Sequence, residues 1–400
     1  MAQKSTFICP YCFDKHKLTD VQFRCTNKRC KDFDDIEMTR YENGNLKMPK
    51  QGKRTFTAPK RGATRAACPE CGSPTTKRVC PSCHNELPES TLSGRDMIIS
   101  VVGGRASGKS HFVGVVIKEL IERISVSLGG AMEGFADSYQ RWETGFYSHL
   151  YVDGMKLDLT KSSLQNTNNG AYRPLIFKLK LRHKGLFGDS IDSFTFVFFD
   201  TAGEDLNDED TMSTVNKYIC KSAGIIFLLD PVQIPAVASQ LDAGTAKRAS
   251  GGVGYHQAAK SDDIMTRVSN LIRRDRGWAE DKRIDIPVAA VFSKFDVIEG
   301  LVPRESILHT PSPHCGAGHL VLSDWNEVNQ DVKGMLQIWN AGAFTSQLET
   351  NYTTYSYFTV SALGLNNNPT ENGKIQRPRP HRIEDPLLWL LYKNGVIKGS

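Results

Sequence analysis

Eight of the ten cysteines fall in the first 83 residues and form four pairs: Cys9-Pro-Tyr-Cys12, Cys25 with Cys30, Cys68-Pro-Glu-Cys71 and Cys80-Pro-Ser-Cys83. A C-x2-C turn makes two thiolates converge, and two such turns close a tetrahedral structural zinc site with no open position for water. Taken in chain order, one zinc falls on Cys9, Cys12, Cys25 and Cys30 and a second on Cys68, Cys71, Cys80 and Cys83; an interleaved pairing uses the same chemistry and stays open. Dithiol redox chemistry would want a βαβ setting around a C-x2-C pair, and none is present. His16 and His84 lie close by and read as loop histidines.

The second constellation is Gly103-Gly104-Arg105-Ala106-Ser107-Gly108-Lys109-Ser110, followed by His111. This is G-x-x-x-x-G-K-S, whose backbone N–H groups wrap a β-phosphate at a helix N-terminus. Lys109 would reach the β- and γ-phosphates and the Ser110 hydroxyl would ligate Mg2+. Downstream, Asp200-Thr-Ala-Gly203-Glu204 offers a carboxylate for the magnesium and a glycine N–H for a γ-phosphate. Ser293-Lys294-Phe295-Asp296 and Ser361-Ala362-Leu363 each follow an apolar run.

These residues need a parallel sheet behind them. Asp96-Met-Ile-Ile-Ser-Val-Val, Ala223-Gly-Ile-Ile-Phe-Leu-Leu-Asp230, Pro287-Val-Ala-Ala-Val-Phe and Tyr357-Phe-Thr-Val read as buried strands. Leu175–Leu181 and Ser193–Asp200 read as a hairpin turning at Gly185–Gly188. Ile264, Val268, Leu271 and Ile272 recur at helical spacing, as do residues around Val328, Met335 and Leu336. The tail Glu384-Asp-Pro-Leu-Leu-Trp-Leu-Leu-Tyr is too short an apolar run to span a membrane and reads as a closing helix.

The order of these motifs resembles the Ras-like P-loop GTPases over about 300 residues. The resemblance implies an α/β fold, a doubly wound P-loop NTPase sheet behind a small two-zinc ribbon and knuckle, that binds and hydrolyses GTP to GDP with Mg2+. It gives Asp296 the guanine ring N–H and amine, Lys294 the face of the base and Ala362, between Ser361 and Leu363, the guanine O6. Asp200, Ser110 and a switch threonine, Thr167 (Thr160 second), would serve the magnesium, and Gly203 the γ-phosphate. Lys109, Thr167, Glu204 and Arg105 would share the chemistry. Three residues depart from the pattern. Ser293 replaces Asn or Thr, Glu204 stands where relatives place a glutamine, and Arg105 replaces a glycine, so binding is a firmer expectation than fast turnover. The basic zinc head, inserts and tail look like the bacterial double-GTPase group, which is proposed to act in conflict or defence systems.

Composition sets the frame around these sites. Of 400 residues, 40% are hydrophobic and 24% charged, enough apolar content for a core and too much for a disordered chain. Residues 1–95 carry 18 Lys and Arg against 10 Asp and Glu, whereas the rest is near neutral. Two four-thiolate zinc sites, each about −2, would lower that head to roughly +4. No leader or transmembrane run is visible, so a reducing, cytoplasmic setting is expected. The organisation reads as a zinc ribbon at 1–43, a basic linker at 44–67, a zinc knuckle at 68–94 and a nucleotide-binding domain at 95–400 with inserts at about 231–285 and 297–356. The head would dock a partner protein or nucleic acid. Two rivals remain: an ATP-driven P-loop ATPase, and a nucleic-acid-binding zinc module whose nucleotide site is structural.

Overall fold

The structure, a computed structural model, describes residues 5–42, 44–58, 62–93, 96–157, 173–185, 188–199, 213–242, 244–245, 261–365, 367, 369–370 and 372–400. In the head, β1 (Thr6–Ile8) and β2 (Lys15–Lys17) pair antiparallel around the Cys9–Cys12 turn. Next come β3 (Gln22–Arg24), β4 (Asp32–Asp34) and helix α1 (Ile36–Tyr41), capped by the Asp35 carboxylate on the Met38 N–H. The stretch expected to be a linker contains β5 (Gln51–Lys53) and β6 (Thr55–Thr57). Thr-Phe-Thr has the β-branched and aromatic content of a strand, and Phe56 stacks on Phe23 of β3 with ring centroids 6.2 Å apart. The short strands β7 (Ala66–Ala67), β8 (Pro74–Thr75) and β9 (Arg78–Val79) precede helix α2 (Glu89–Leu92). Because β3 lies between β6 and β9, the two ends of the head are woven together.

The body is a seven-stranded mixed sheet. Its strands are β10 (Asp96–Gly103), β11 (Gly130–Gly134), β12 (Leu175–Gly185), β13 (Gly188–Phe198), β14 (Gly224–Leu229), β15 (Val288–Phe292) and β16 (Tyr355–Thr359), in the spatial order β11-β12-β13-β10-β14-β15-β16. Strands β13, β10, β14, β15 and β16 run parallel, β12 runs antiparallel to β13, and β11 runs antiparallel to β12. Strands β14 and β15 are apolar without alternation because both faces are covered, and every residue of the two is buried. The α/β class and the strands read from sequence are therefore present. The hairpin is longer at both strands than expected, and the edge strand β11 was not foreseen; its Gly-Ala-Met-Glu-Gly carries no strand signal of its own.

Helix α3 (Lys109–Glu119) follows the loop after β10 and is buried over most of its length. Helix Ser261–Arg276 sinks Ile264, Val268, Leu271 and Ile272, and helix Leu322–Ile338 sinks Val328, Met335 and Leu336. The closing helix Asp385–Lys393 packs Leu387–Leu391 into the same core, with Trp389 fully buried. Among the described residues no helix is long and apolar enough to cross a membrane.

Candidate functional sites

The cysteines gather into two tetrads, and their pairing corrects the chain-order assignment. Cys9, Cys12, Cys80 and Cys83 form one, and Cys25, Cys30, Cys68 and Cys71 the other. The sulfurs lie 3.7 Å apart for Cys9–Cys83, 3.8 Å for Cys12–Cys80, 3.7 Å for Cys25–Cys71 and 4.0 Å for Cys30–Cys68. A tetrahedral ion about 2.3 Å from each sulfur requires sulfurs about 3.8 Å apart, so both tetrads fit zinc. Chain order misled because β3 pairs with β9, which brings the second half of the head back onto the first. Burial pushes the Cys9 and Cys83 thiols well above their ordinary range, so without a metal these sulfurs stay protonated.

The tetrads sit in different surroundings. Cys9, Cys80 and Cys83 belong to the main hydrophobic core, together with Phe7, Phe13 and the sheet residues. Cys25, Cys30 and Cys68 make a separate small cluster with Phe56, and Cys71 is exposed. Asp35 links the two. Its carboxylate takes His84, beside Cys83, at 2.6 Å and Arg24, beside Cys25, at 2.5 Å. Burial alone would raise this carboxyl, but His84, the Met38 N–H and Arg24 hold it below the usual range.

At the carboxyl end of β10 the Gly103–Ser110 loop turns into α3. Gly103 tolerates no side chain, because a Cβ would stand 2.5 Å from the Leu228 carbonyl oxygen. Ala106 and Gly108 take left-handed backbone (φ 61° and 85°) and alternate with ordinary residues, the pattern that turns loop N–H groups to one side as an anion nest. The Lys109 ammonium, nearly buried, donates to the Gly103 and Gly104 carbonyls at 2.8 Å each. Ser107 closes the loop through its hydroxyl on the Gly104 carbonyl (2.9 Å), Ser110 is half-buried and Arg105 is exposed.

The neighbouring strand ends bring the other predicted residues to the same edge. Ser293 anchors its hydroxyl on the Leu229 carbonyl at 3.0 Å. Lys294 is left-handed (φ 58°) and its ammonium meets the buried Asp230 carboxylate at 2.7 Å. Asp296 accepts the Ser361 hydroxyl, and burial raises its carboxyl above the ordinary value despite that bond. Ser361 also takes the Gly364 N–H at 2.9 Å, while Ala362 and Leu363 are half-buried. Phe295 stacks on His381, which reaches the Leu308 carbonyl at 2.7 Å, so an insert and the tail brace this loop. Sequence reading missed Asp230 and His381; Asp230 had a signal, a carboxylate at the end of a wholly apolar strand. Thr160, Thr167, Asp200, Gly203 and Glu204 lie outside the described residues.

His111 joins the two sides. Its Nε2 accepts the Leu157 N–H at 3.1 Å, and burial with the charges of Lys294 and Lys156 pushes its pKa down to about 4. The folded chain thus favours neutral imidazole, so this stabilisation is complete above the unfolded value near 6.5 and is lost as pH falls towards 4, at no more than about 1.4 kcal/mol per pH unit. Urea unfolding at pH 7 and pH 5 should show a drop in wild type that His111→Gln reduces, because the amide keeps the acceptor and cannot be protonated there. An equal drop in both proteins would remove His111 as its source.

Fold and sites together define an α/β protein with a cysteine-rich head able to hold two zinc ions and a glycine-rich loop at the end of a central parallel strand. No protein-family model matches the chain. It is 27% identical over 339 residues, 80% of each chain, to a proposed ESX-1 scaffolding and assembly protein, SaeC, of Mycolicibacterium smegmatis. This similarity overturns the Ras-like and double-GTPase family assignment. That assignment rested on a few short motifs, which can recur on unrelated chains, whereas the match to SaeC runs through most of both sequences.

Proposed function

We propose that this chain is an assembly protein whose docking is timed by a magnesium–guanine nucleotide bound at the Gly103–Ser110 loop. One observation carries the nucleotide reading. Four adjacent parallel strands, β10, β14, β15 and β16, deliver the loop, Asp230, Ser293–Asp296 and Ser361–Leu363 to one edge of the sheet. The carboxyl edge of a parallel sheet is where such folds take ligands. On this reading Lys109 leaves the loop carbonyls for the phosphates, Ser110 ligates the magnesium and Asp296 accepts from the base. The Glu204 carboxylate, standing in the sequence where a glutamine would orient water, would repel a γ-phosphate and keep hydrolysis slow.

The assembly role is supported by the similarity to SaeC, a protein described by scaffolding and assembly. The second tetrad is the docking tip, since it stands apart from the main core and exposes Lys28, Arg29 and Arg65 beside its cysteines. Those cations suit an acidic face of a protein partner. Thiolate tetrads are favoured in a reducing compartment, which supports a cytoplasmic setting.

Titration calorimetry of nucleotide-free, zinc-loaded protein with GTP, GDP and ATP in Mg2+ tests the reading. GTP and GDP should bind and ATP should not, and Lys109→Ala should weaken GTP by about a hundredfold, the loss of charged contacts to phosphate. Silence with all three nucleotides would end the proposal.

A further inference from the structure

The contact between the first tetrad and the body falls where the sheet opens. The ladder between β10 and β13 ends at Ile98 and Val197, and from Ile99 onward β10 pairs with β14. At that junction stands Tyr218, 1% exposed, on helix Ser213–Cys220. Its hydroxyl donates to the Ile99 carbonyl of β10 and accepts the Phe199 N–H, one residue past β13, at 3.3 Å. Ser222, just beyond the same helix, lies 2.9 Å from Ser100 Oγ on β10. One side chain thus replaces the ladder four residues before the Gly103–Ser110 loop begins.

What holds Tyr218 comes from the cysteine knuckle. Phe13 directly follows Cys12, is fully buried and takes a left-handed backbone (φ 58°), fixed by its N–H on the Cys9 carbonyl at 3.0 Å. Its ring lies 5.2 Å from Tyr218 and 6.1 Å from Phe199, and those two rings meet edge-on at 5.4 Å. Beside them Asp14 pairs with Lys217 at 2.6 Å. A left-handed phenylalanine is an uncommon conformation that surrounding structure must impose. Here the four-cysteine knuckle imposes it.

We propose that the first tetrad and the phosphate loop form one coupled unit, with Phe13 and Tyr218 as positioning residues between them; this rests on the nucleotide reading above. With the knuckle closed, Phe13 fixes Tyr218 and Tyr218 fixes the end of β10, so the loop is ordered before ligand arrives. With the knuckle open, that ordering falls to the nucleotide, which then binds more weakly. Linkage makes the effect reciprocal, so bound nucleotide tightens zinc at this tetrad by the same factor.

The test uses the whole 400-residue chain and a chromophoric zinc chelator, with and without Mg-GDP. GDP should tighten one of the two zinc equivalents by about tenfold, within the usual range of coupling between sites. Tyr218→Phe keeps the ring and removes the hydroxyl; it should retain two zinc ions and bring the coupling below about twofold. If that variant fails to fold, Phe13→Leu, which keeps apolar bulk at the knuckle, carries the same expectation. GDP that binds without changing either zinc affinity overturns the coupling and leaves the nucleotide reading standing. Full coupling in both variants overturns the route through Phe13 and Tyr218. Failure of wild type to bind GDP at all removes the nucleotide reading and the coupling with it.

Discussion

Cys9→Ser is expected to lose one zinc ion and lower the melting temperature of the still-folded body, whereas Cys71→Ser loses one zinc ion and leaves the stability of the body unchanged. Zinc in small thiolate sites contributes apparent binding energies of about 10–16 kcal/mol, as large as the whole stability of a typical domain, about 5–15 kcal/mol. What separates the variants is where each tetrad stands. Cys9 is fully buried in the core that contains the sheet, and its knuckle presents Phe13 to Phe199 and Tyr218. Opening it removes an aromatic plug from the body and leaves buried thiols with no metal.

The second tetrad touches a smaller world. Among the described residues, Cys25, Cys30 and Cys68 share their cluster with Phe56 alone, and Cys71 is at the surface. Its loss unravels β6 and its neighbours, and Asp35 is the polar link by which the damage could spread to His84. Elemental analysis gives the zinc count, and near-UV circular dichroism with thermal melting reports the body. Two variants that melt alike would refute the division into an inner and an outer site.

Much of this was legible because apolar runs and cysteine spacing are local signals. β14 and β15 read as buried strands since each is a short, unbroken apolar run, β10 since only Ser100 interrupts its apolar stretch, and the thiolate chemistry followed from four closely spaced pairs. The pairing of cysteines was not legible, because it depends on β3 meeting β9 across more than fifty residues of chain. The strands at 51–57 were hidden by basic residues and glycine, whose exposure says nothing about whether the backbone pairs. Tyr218 and Phe13 gave no signal either; each is an ordinary core aromatic in sequence, and only their meeting at the sheet junction gives them a role. Motif order also carried the family inference too far, since a handful of spaced residues constrains local chemistry more tightly than descent.

On the proposed nucleotide reading, selectivity turns on Asp296. A carboxylate at the end of β15 that burial disfavours in its charged form needs compensation, and here only part of it comes from the Ser361 hydroxyl. A base that donates two N–H groups would supply the rest, as guanine does through its ring N–H and amine. Hydrogen bonds to a charged acceptor contribute about 1.5–3 kcal/mol each. Asp296→Ala should therefore weaken GTP and GDP by about a hundredfold or more, at about 1.4 kcal/mol per tenfold. ATP should stay without measurable binding in wild type, because adenine presents an acceptor where guanine presents the ring N–H. Ser361→Ala, which leaves the carboxylate but removes its positioning donor, should cost about tenfold. Calorimetry of the two variants against wild type separates the roles. If Asp296→Ala binds GTP as wild type does, or if wild type takes ATP as tightly as GTP, the carboxylate is a buried brace for the Ser361 loop and the base is read elsewhere.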